Sequence, residues 1–124
     1  MTDPANLLAT ARRILEGAER DAARDLYMSA CAGAQRAAAM ATEAWLRDAG
    51  QPVVSASVHE NVCLSPASDA EVREAGRLLD RHRIDEGPHG SATPVGESAA
   101  AAAAALDASR RIVAFAAARM EVRG

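Results

Sequence analysis

The 124-residue sequence contains no lysine, so all of its 14 positively charged side chains are arginines. Aromatic residues are almost as scarce, with one Trp, one Tyr and one Phe. Two cysteines, Cys31 and Cys63, are too few for a disulfide scaffold or a four-thiolate metal site. No apolar run approaches the roughly 20 residues of a membrane span. The N-terminus lacks the basic flank and apolar stretch of a secretion signal, so we expect a cytoplasmic protein without membrane contact.

Alanine dominates what is present, with 32 residues, and hydrophobic residues make up 49% of the chain. Alanine is the strongest helix former, and a chain of this length suits one domain with one core. The net charge of −3 argues against general nucleic-acid binding. The composition therefore predicts a single all-α domain over residues 1–124.

Apolar residues at helical spacing define the first half of the chain. A helix is predicted over residues 4–16, with Asp3 as its N-cap and Gly17 as its end. A second helix is predicted over residues 22–49, before Gly50. One face of this second helix is built from alanine and glycine. We expect another helix or a second subunit to pack closely on that face.

The second half contains two further predicted helices. One covers residues 69–83, where Ser68 and Glu71 match the capping-box pattern, and the other covers residues 97–121. Residues 51–67 fit either a short helix or a packed loop. The predicted fold is all-α, an up-and-down antiparallel bundle of four to five helices.

The residues that could bind a metal do not have the spacing of a metal site. His59, His82 and His89 form no pair four residues apart and no carboxylate-x-x-His repeat. We therefore expect no metal and no cofactor. Cys31 and Cys63 have apolar neighbours, and we expect both to be buried, unreactive thiols.

One segment, residues 77–89, has a composition that suits RNA cleavage. It holds three arginines and two histidines. Histidine can transfer protons to and from ribose oxygens near neutral pH, and arginine can bind the phosphate and stabilise its developing charge. The alternative interpretation of the same residues is a charged helix end followed by a solvated loop.

Three stretches of the chain resemble one known family. Residues 34–46, which lead to Gly50, are similar to its Gln- and Ala-rich second helix. His59 stands where many members carry a histidine that opens a short central segment. Residues 75–80, with the loop and the long alanine-rich helix after them, are similar to the end of its third helix, its loop and its last helix. Over roughly residues 5–121 the chain thus resembles the HEPN-domain proteins, the higher eukaryotes and prokaryotes nucleotide-binding family.

The resemblance implies an up-and-down helical bundle that is usually a homodimer. Many members are RNase toxins in which an arginine is followed a few residues later by a histidine, as Arg83 is followed by His89. Other members pair with a minimal nucleotidyltransferase as its antitoxin or substrate. The chain departs from the pattern because the Arg-Tyr pair of many relatives is missing from residues 83–88. Ala39 also stands where an acidic residue is expected.

These departures and the acidic net charge favour a non-catalytic function. We predict a dimeric helical module that binds a protein partner, such as a minimal nucleotidyltransferase, or a nucleotide. Its candidate binding residues are His59, Arg77 and His82. The alternative is a metal-independent RNase of the toxin type that acts on RNA. In that case His89 is the acid/base and Arg83 binds the phosphate.

Overall fold

The computed structural model describes residues 3–82 and 98–123, with side chains up to Glu121. These ranges form five α-helices: α1 (Pro4–Ala23), α2 (Tyr27–Asp48), α3 (Val58–Val62), α4 (Ala70–Asp80) and α5 (Ala99–Arg123). The prediction of an all-α, up-and-down bundle of four to five helices is confirmed. The long helices α1, α2 and α5 pack on one another, α4 packs on α5, and short α3 lies against α4 and α2. None of these helices combines the length and apolar character needed to cross a membrane.

The break between the first two helices lies later than the sequence predicts. Residues 17–23 belong to α1, whereas the prediction ended the first helix at residue 16 and began the second at residue 22. Gly17 continues the helix because one interior glycine costs only about 1 kcal/mol relative to alanine. The burial of apolar side chains along α1 stabilises the helix by more than this cost.

A left-handed residue, Asp25, ends α1. Its φ is 62°, a conformation that Asp tolerates better than most side chains. The N–H of Leu26 donates to the carbonyl of Asp21 at 2.9 Å, and the N–H of Asp25 donates to that of Ala22 at 3.1 Å. This is the Schellman pattern, which satisfies the last free carbonyls of a helix. The end of α2 repeats it with Gly50, whose φ is 76°.

The small-residue face of α2 is buried inside this chain. A Cβ placed on Gly33 would lie 3.0 Å from the Cβ of Ala18, so α1 and α2 are in close contact there. Farther along, the rings of Trp45 and Phe115 meet edge-to-face at 5.1 Å and join α2 to α5. The fully covered alanines of α2 are Ala30, Ala34, Ala37, Ala38, Ala41 and Ala44. The sequence allowed either another helix or a second subunit on this face. Neighbouring helices of the same chain cover it.

The start of α4 also differs from the prediction. The N-cap is Asp69, whose carboxylate accepts from the N–H of Val72 at 2.8 Å. Ser68, the predicted cap, instead donates its hydroxyl to the carbonyl of Ser65. Asp and Ser are equally good N-caps, so composition alone does not separate two adjacent candidates. The helix ends at Asp80, before the predicted residue 83.

Candidate functional site

The packing of α3 on α4 brings together His59 and Arg77, which are 18 residues apart in sequence. The Nη2 of Arg77 lies 3.1 Å from the Nε2 of His59. Because a guanidinium can only donate, Nε2 is the acceptor in this contact. Two of the three predicted binding residues therefore lie side by side.

The carboxylate of Asp80 holds the backbone at His59 in place. It accepts from the hydroxyl of Ser57 at 2.6 Å, from the N–H of Val58 at 2.8 Å and from the N–H of His59 at 3.3 Å. These N–H groups belong to the first turn of α3, which has no carbonyl partners for them. A residue at the end of α4 thus caps α3. The sequence alone does not indicate this role, since it requires a contact between residues more than 20 positions apart.

Gly76 sets the distance between the two helices. A Cβ at this position would lie 3.0 Å from the Cα of His59 and 3.1 Å from its backbone nitrogen. These neighbours are backbone atoms, which cannot rotate away as a side chain can. A glycine at position 76 allows α4 to touch the backbone of α3, and the next residue, Arg77, is thereby placed next to the imidazole.

Arg77 has a second partner and remains accessible. Its Nη1 forms an ion pair with Glu74 at 2.6 Å, and the exposed fractions of these two side chains are 59% and 67%. Exposed pairs of this kind contribute only about 0–1 kcal/mol, because water screens the charges and two mobile side chains must be ordered. The guanidinium is therefore held in position but is available to another anion.

Cys63 belongs to the same cluster, contrary to the prediction that it is buried. The residue is exposed, and its Sγ lies 3.6 Å from the Nε2 of His59. The signal that could have located it is its spacing of four residues from His59, which places both on one side of a helical turn. The other prediction is confirmed, since Cys31 is buried and burial raises the pKa of its thiol.

His82, the third predicted binding residue, does not join this cluster. His82 is half-buried, and its Nδ1 has no hydrogen-bond partner among the described residues. Arg83 and His89, the predicted catalytic pair, lie outside the described residues. Within residues 3–82 and 98–121, no group of three or more His, Cys, Asp or Glu side chains could hold a metal ion.

Comparison with known proteins identifies solved structures with a similar fold. No model of a protein family matches the sequence, and no curated protein matches it significantly. Among solved structures, ST0689, an archaeal HEPN homologue, is similar with a TM-score of 0.81 and 18% identity, over 97% of this chain and 99% of that one. TT1696 from Thermus thermophilus is 27% identical, with a TM-score of 0.79, over 96% of this chain and 99% of that one.

A HEPN domain protein from Thermotoga maritima extends the comparison. It is 23% identical, with a TM-score of 0.74, over 90% of this chain and 94% of that one. All three likenesses cover nearly the full length of both chains, so they concern the whole arrangement of helices. The fold expected from the resemblance of residues 34–46, His59 and residues 75–80 is confirmed, and the chain has the fold of the HEPN-domain proteins.

Proposed function

We propose that this protein is a non-catalytic HEPN-fold module that binds a nucleotide through its phosphate groups, with Arg77 and His59 as the phosphate ligands. The observation that carries the proposal is the 3.1 Å contact between the guanidinium of Arg77 and the imidazole of His59. Arginine binds phosphate oxygens through two parallel N–H donors, which gives both strength and orientation. The imidazole beside it carries a ring N–H, which can donate to the same oxygen when the ring turns.

The cluster is suited to exchanging one anion for another. Without a ligand, Arg77 is paired with Glu74, and both side chains are more than half exposed. A nucleotide with two or three phosphates carries more charge than one carboxylate and offers more oxygens to the guanidinium. It can therefore displace Glu74 at small cost. Gly76 and Asp80 keep the two helices in register, so the positions of the ligands are set before the nucleotide arrives.

The same contact argues against catalysis by His59. A general base needs a lone pair within hydrogen-bond reach of the proton it removes. The Nε2 lone pair of His59 already accepts from Arg77, which is permanently charged. No other described histidine contacts this pair. The alternative RNase function uses Arg83 and His89 instead, and it requires an experiment of its own.

A titration with ATP, monitored through the imidazole NMR signals of His59, tests the proposal. We expect saturable shifts of these signals, and an affinity at least about tenfold lower in Arg77→Ala, the effect of one charge-assisted hydrogen bond. Arg81→Ala is the matched control, because Arg81 is an exposed arginine four residues farther along the chain, just after α4. Adenosine, which has no phosphate, should bind much more weakly. An unchanged affinity in Arg77→Ala would refute the assignment.

Incubation with mixed cellular RNA in EDTA separates the two functions. We expect the RNA to remain intact, because the proposed module binds without cleaving. Cleavage that is lost in both Arg83→Ala and His89→Ala would establish the metal-independent RNase instead. Cleavage that persists in both variants would indicate a contaminant, and the ATP titration would then decide the matter.

We also propose that the module is a homodimer and that a protein of the nucleotidyltransferase class is its candidate partner. Several large apolar side chains of the described residues are exposed and offer surface for such contacts: Leu26, Met28, Val53, Val54 and Leu64. Light scattering on the purified protein should give twice the chain mass of 12.9 kDa. A mass of one chain across the micromolar range would contradict the dimer.

A further inference from the structure

A groove of about 420 Å³ lies between α1 and α2 and shares no lining residue with the His59–Arg77 cluster. Three arginines line it: Arg20 in the last turn of α1, Arg24 at its C-cap and Arg36 on α2. Asp21 is the acidic residue of the lining. Three positive groups against one negative group make the groove locally cationic, although the whole chain has a net charge of −3.

Small residues shape the groove and position one of its arginines. Gly33 brings α2 against Ala18, since a Cβ on Gly33 would lie only 3.0 Å from the Cβ of Ala18. On α1, Gly17 has no side chain, and the Nη2 of Arg20 lies 3.8 Å from the place where its Cβ would be. The guanidinium of Arg20 thus lies back along α1, beside the groove.

Among the described residues, the arginines of the groove have no partner, in contrast to two arginines of α5. Arg110 and Arg111 are both paired with carboxylates. Within residues 3–82 and 98–121, the guanidinium groups of Arg20, Arg24 and Arg36 form neither an ion pair nor a hydrogen bond. Positive charges that outnumber the negative charges around them repel one another and attract anions. The groove therefore has the electrostatic character of an anion site.

We propose that this groove is a second binding site, which takes the diphosphate or triphosphate group of a small molecule. Its volume falls within the range of roughly 300–1,000 Å³ that is typical of small-molecule sites. Three guanidinium groups can each bind a phosphate in the forked geometry, and the hydroxyl of Ser29 in the lining adds a neutral donor. The acidic net charge disfavours a long nucleic acid, whose binding depends on many dispersed contacts to its backbone. Asp21 weakens the site by repelling the same ligand.

Calorimetric titration with sodium tripolyphosphate on the Arg77→Ala background tests this site, because that background removes the charged ligand of the His59–Arg77 site. We expect saturable binding, weakened at least about tenfold by Arg24→Gln and by Arg36→Gln. Asp21→Asn should strengthen binding several-fold, a gain that damage to the fold would not produce. Circular dichroism of each variant confirms that the helices are intact.

Three outcomes would overturn the assignment. The first is a failure of tripolyphosphate to bind at millimolar concentration. Binding that is the same in Arg24→Gln and Arg36→Gln would place the anion elsewhere. Tighter binding of a short single-stranded RNA, lost in the same variants, would replace the small molecule with a polynucleotide. None of these outcomes affects the His59 titration with ATP, so failure of this site and failure of the proposed function are distinguishable.

Discussion

Gly76→Ala should separate the effect of glycine on helix propensity from its effect on the close contact between α4 and α3. Gly17→Ala is the matched control. Both glycines lie inside helices, so alanine should raise the free energy of unfolding by about 1 kcal/mol at each position through helix propensity. At Gly17 the neighbour is the end of the Arg20 side chain at 3.8 Å, which is ordinary contact. Gly17→Ala should therefore stabilise the protein by about 0.5–1 kcal/mol.

At Gly76 the new Cβ would meet the backbone of α3. Its distance from the Cα of His59 would be 3.0 Å, whereas carbon atoms prefer about 3.5–4.0 Å. The two helices must then separate by several tenths of an ångström or more, and overpacking of this kind costs about 1–3 kcal/mol. After the gain in helix propensity, Gly76→Ala should destabilise the protein by up to about 2 kcal/mol. The difference between the two variants should be about 1–3 kcal/mol.

Urea unfolding followed by circular dichroism measures both free energies. The imidazole NMR signals of His59 supply a second readout, since they should shift in Gly76→Ala and stay unchanged in Gly17→Ala. If Gly76→Ala is as stabilising as Gly17→Ala and leaves the His59 signals in place, the close approach of α3 and α4 is wrong. Gly76 would then have no role in positioning Arg77.

Three further predictions concern other contacts of the described residues. Asp80→Ala should lower the free energy of unfolding by about 2–3 kcal/mol in urea, because three donors lose a charged acceptor. Asp80→Asn should lower it less. A loss below about 0.5 kcal/mol for Asp80→Ala, which is the low end for a single hydrogen bond, would contradict the role of Asp80 as the cap of α3. The hydrogen bond from Tyr27 to Asp25 raises the pKa of the phenol above its usual value, and Asp25→Asn should lower it in an absorbance titration of this single tyrosine. Because the phenol of Tyr27 has a higher pKa in the folded state than in the unfolded state, this bond stabilises the fold below about pH 10. Its contribution is lost as the pH rises through the folded-state pKa. With a thiol reagent, the native protein should show one fast-reacting cysteine, which Cys63→Ser removes. Two fast-reacting cysteines would contradict the burial of Cys31.

The fold could be predicted from the sequence because helix periodicity and alanine content are properties of neighbouring residues. The apolar stripe of α1 illustrates this, since Leu8, Leu15 and Ala18 are buried as their spacing indicates. The boundary between α1 and α2 could not be placed, because it depends on one left-handed residue. Asp25 takes that conformation without the glycine that usually marks it.

The candidate site could be predicted only in part. The sequence predicts His59 and Arg77 as separate binding residues, but their contact arises from the packing of α3 on α4, which no local pattern encodes. Gly76 and Asp80, which create that contact, belong to the family-like stretch 75–80, but nothing in a single sequence assigns them a role in positioning another helix. Cys63 was expected to be buried because of its apolar neighbours, yet the short helix α3 leaves it exposed. Side-chain environment at such a helix depends on which neighbours the chain supplies from elsewhere.

The most direct test of the central claim is the response of the His59 imidazole to ATP. We expect phosphate to displace Glu74 from Arg77, whose guanidinium donates to His59 Nε2, so the imidazole NMR signal should shift in proportion to ATP bound. The shift should be absent with adenosine and strongly reduced in Arg77→Ala. ATP that binds without moving this signal, or that fails to bind at millimolar concentration, would contradict the claim that His59 and Arg77 form a nucleotide-phosphate site.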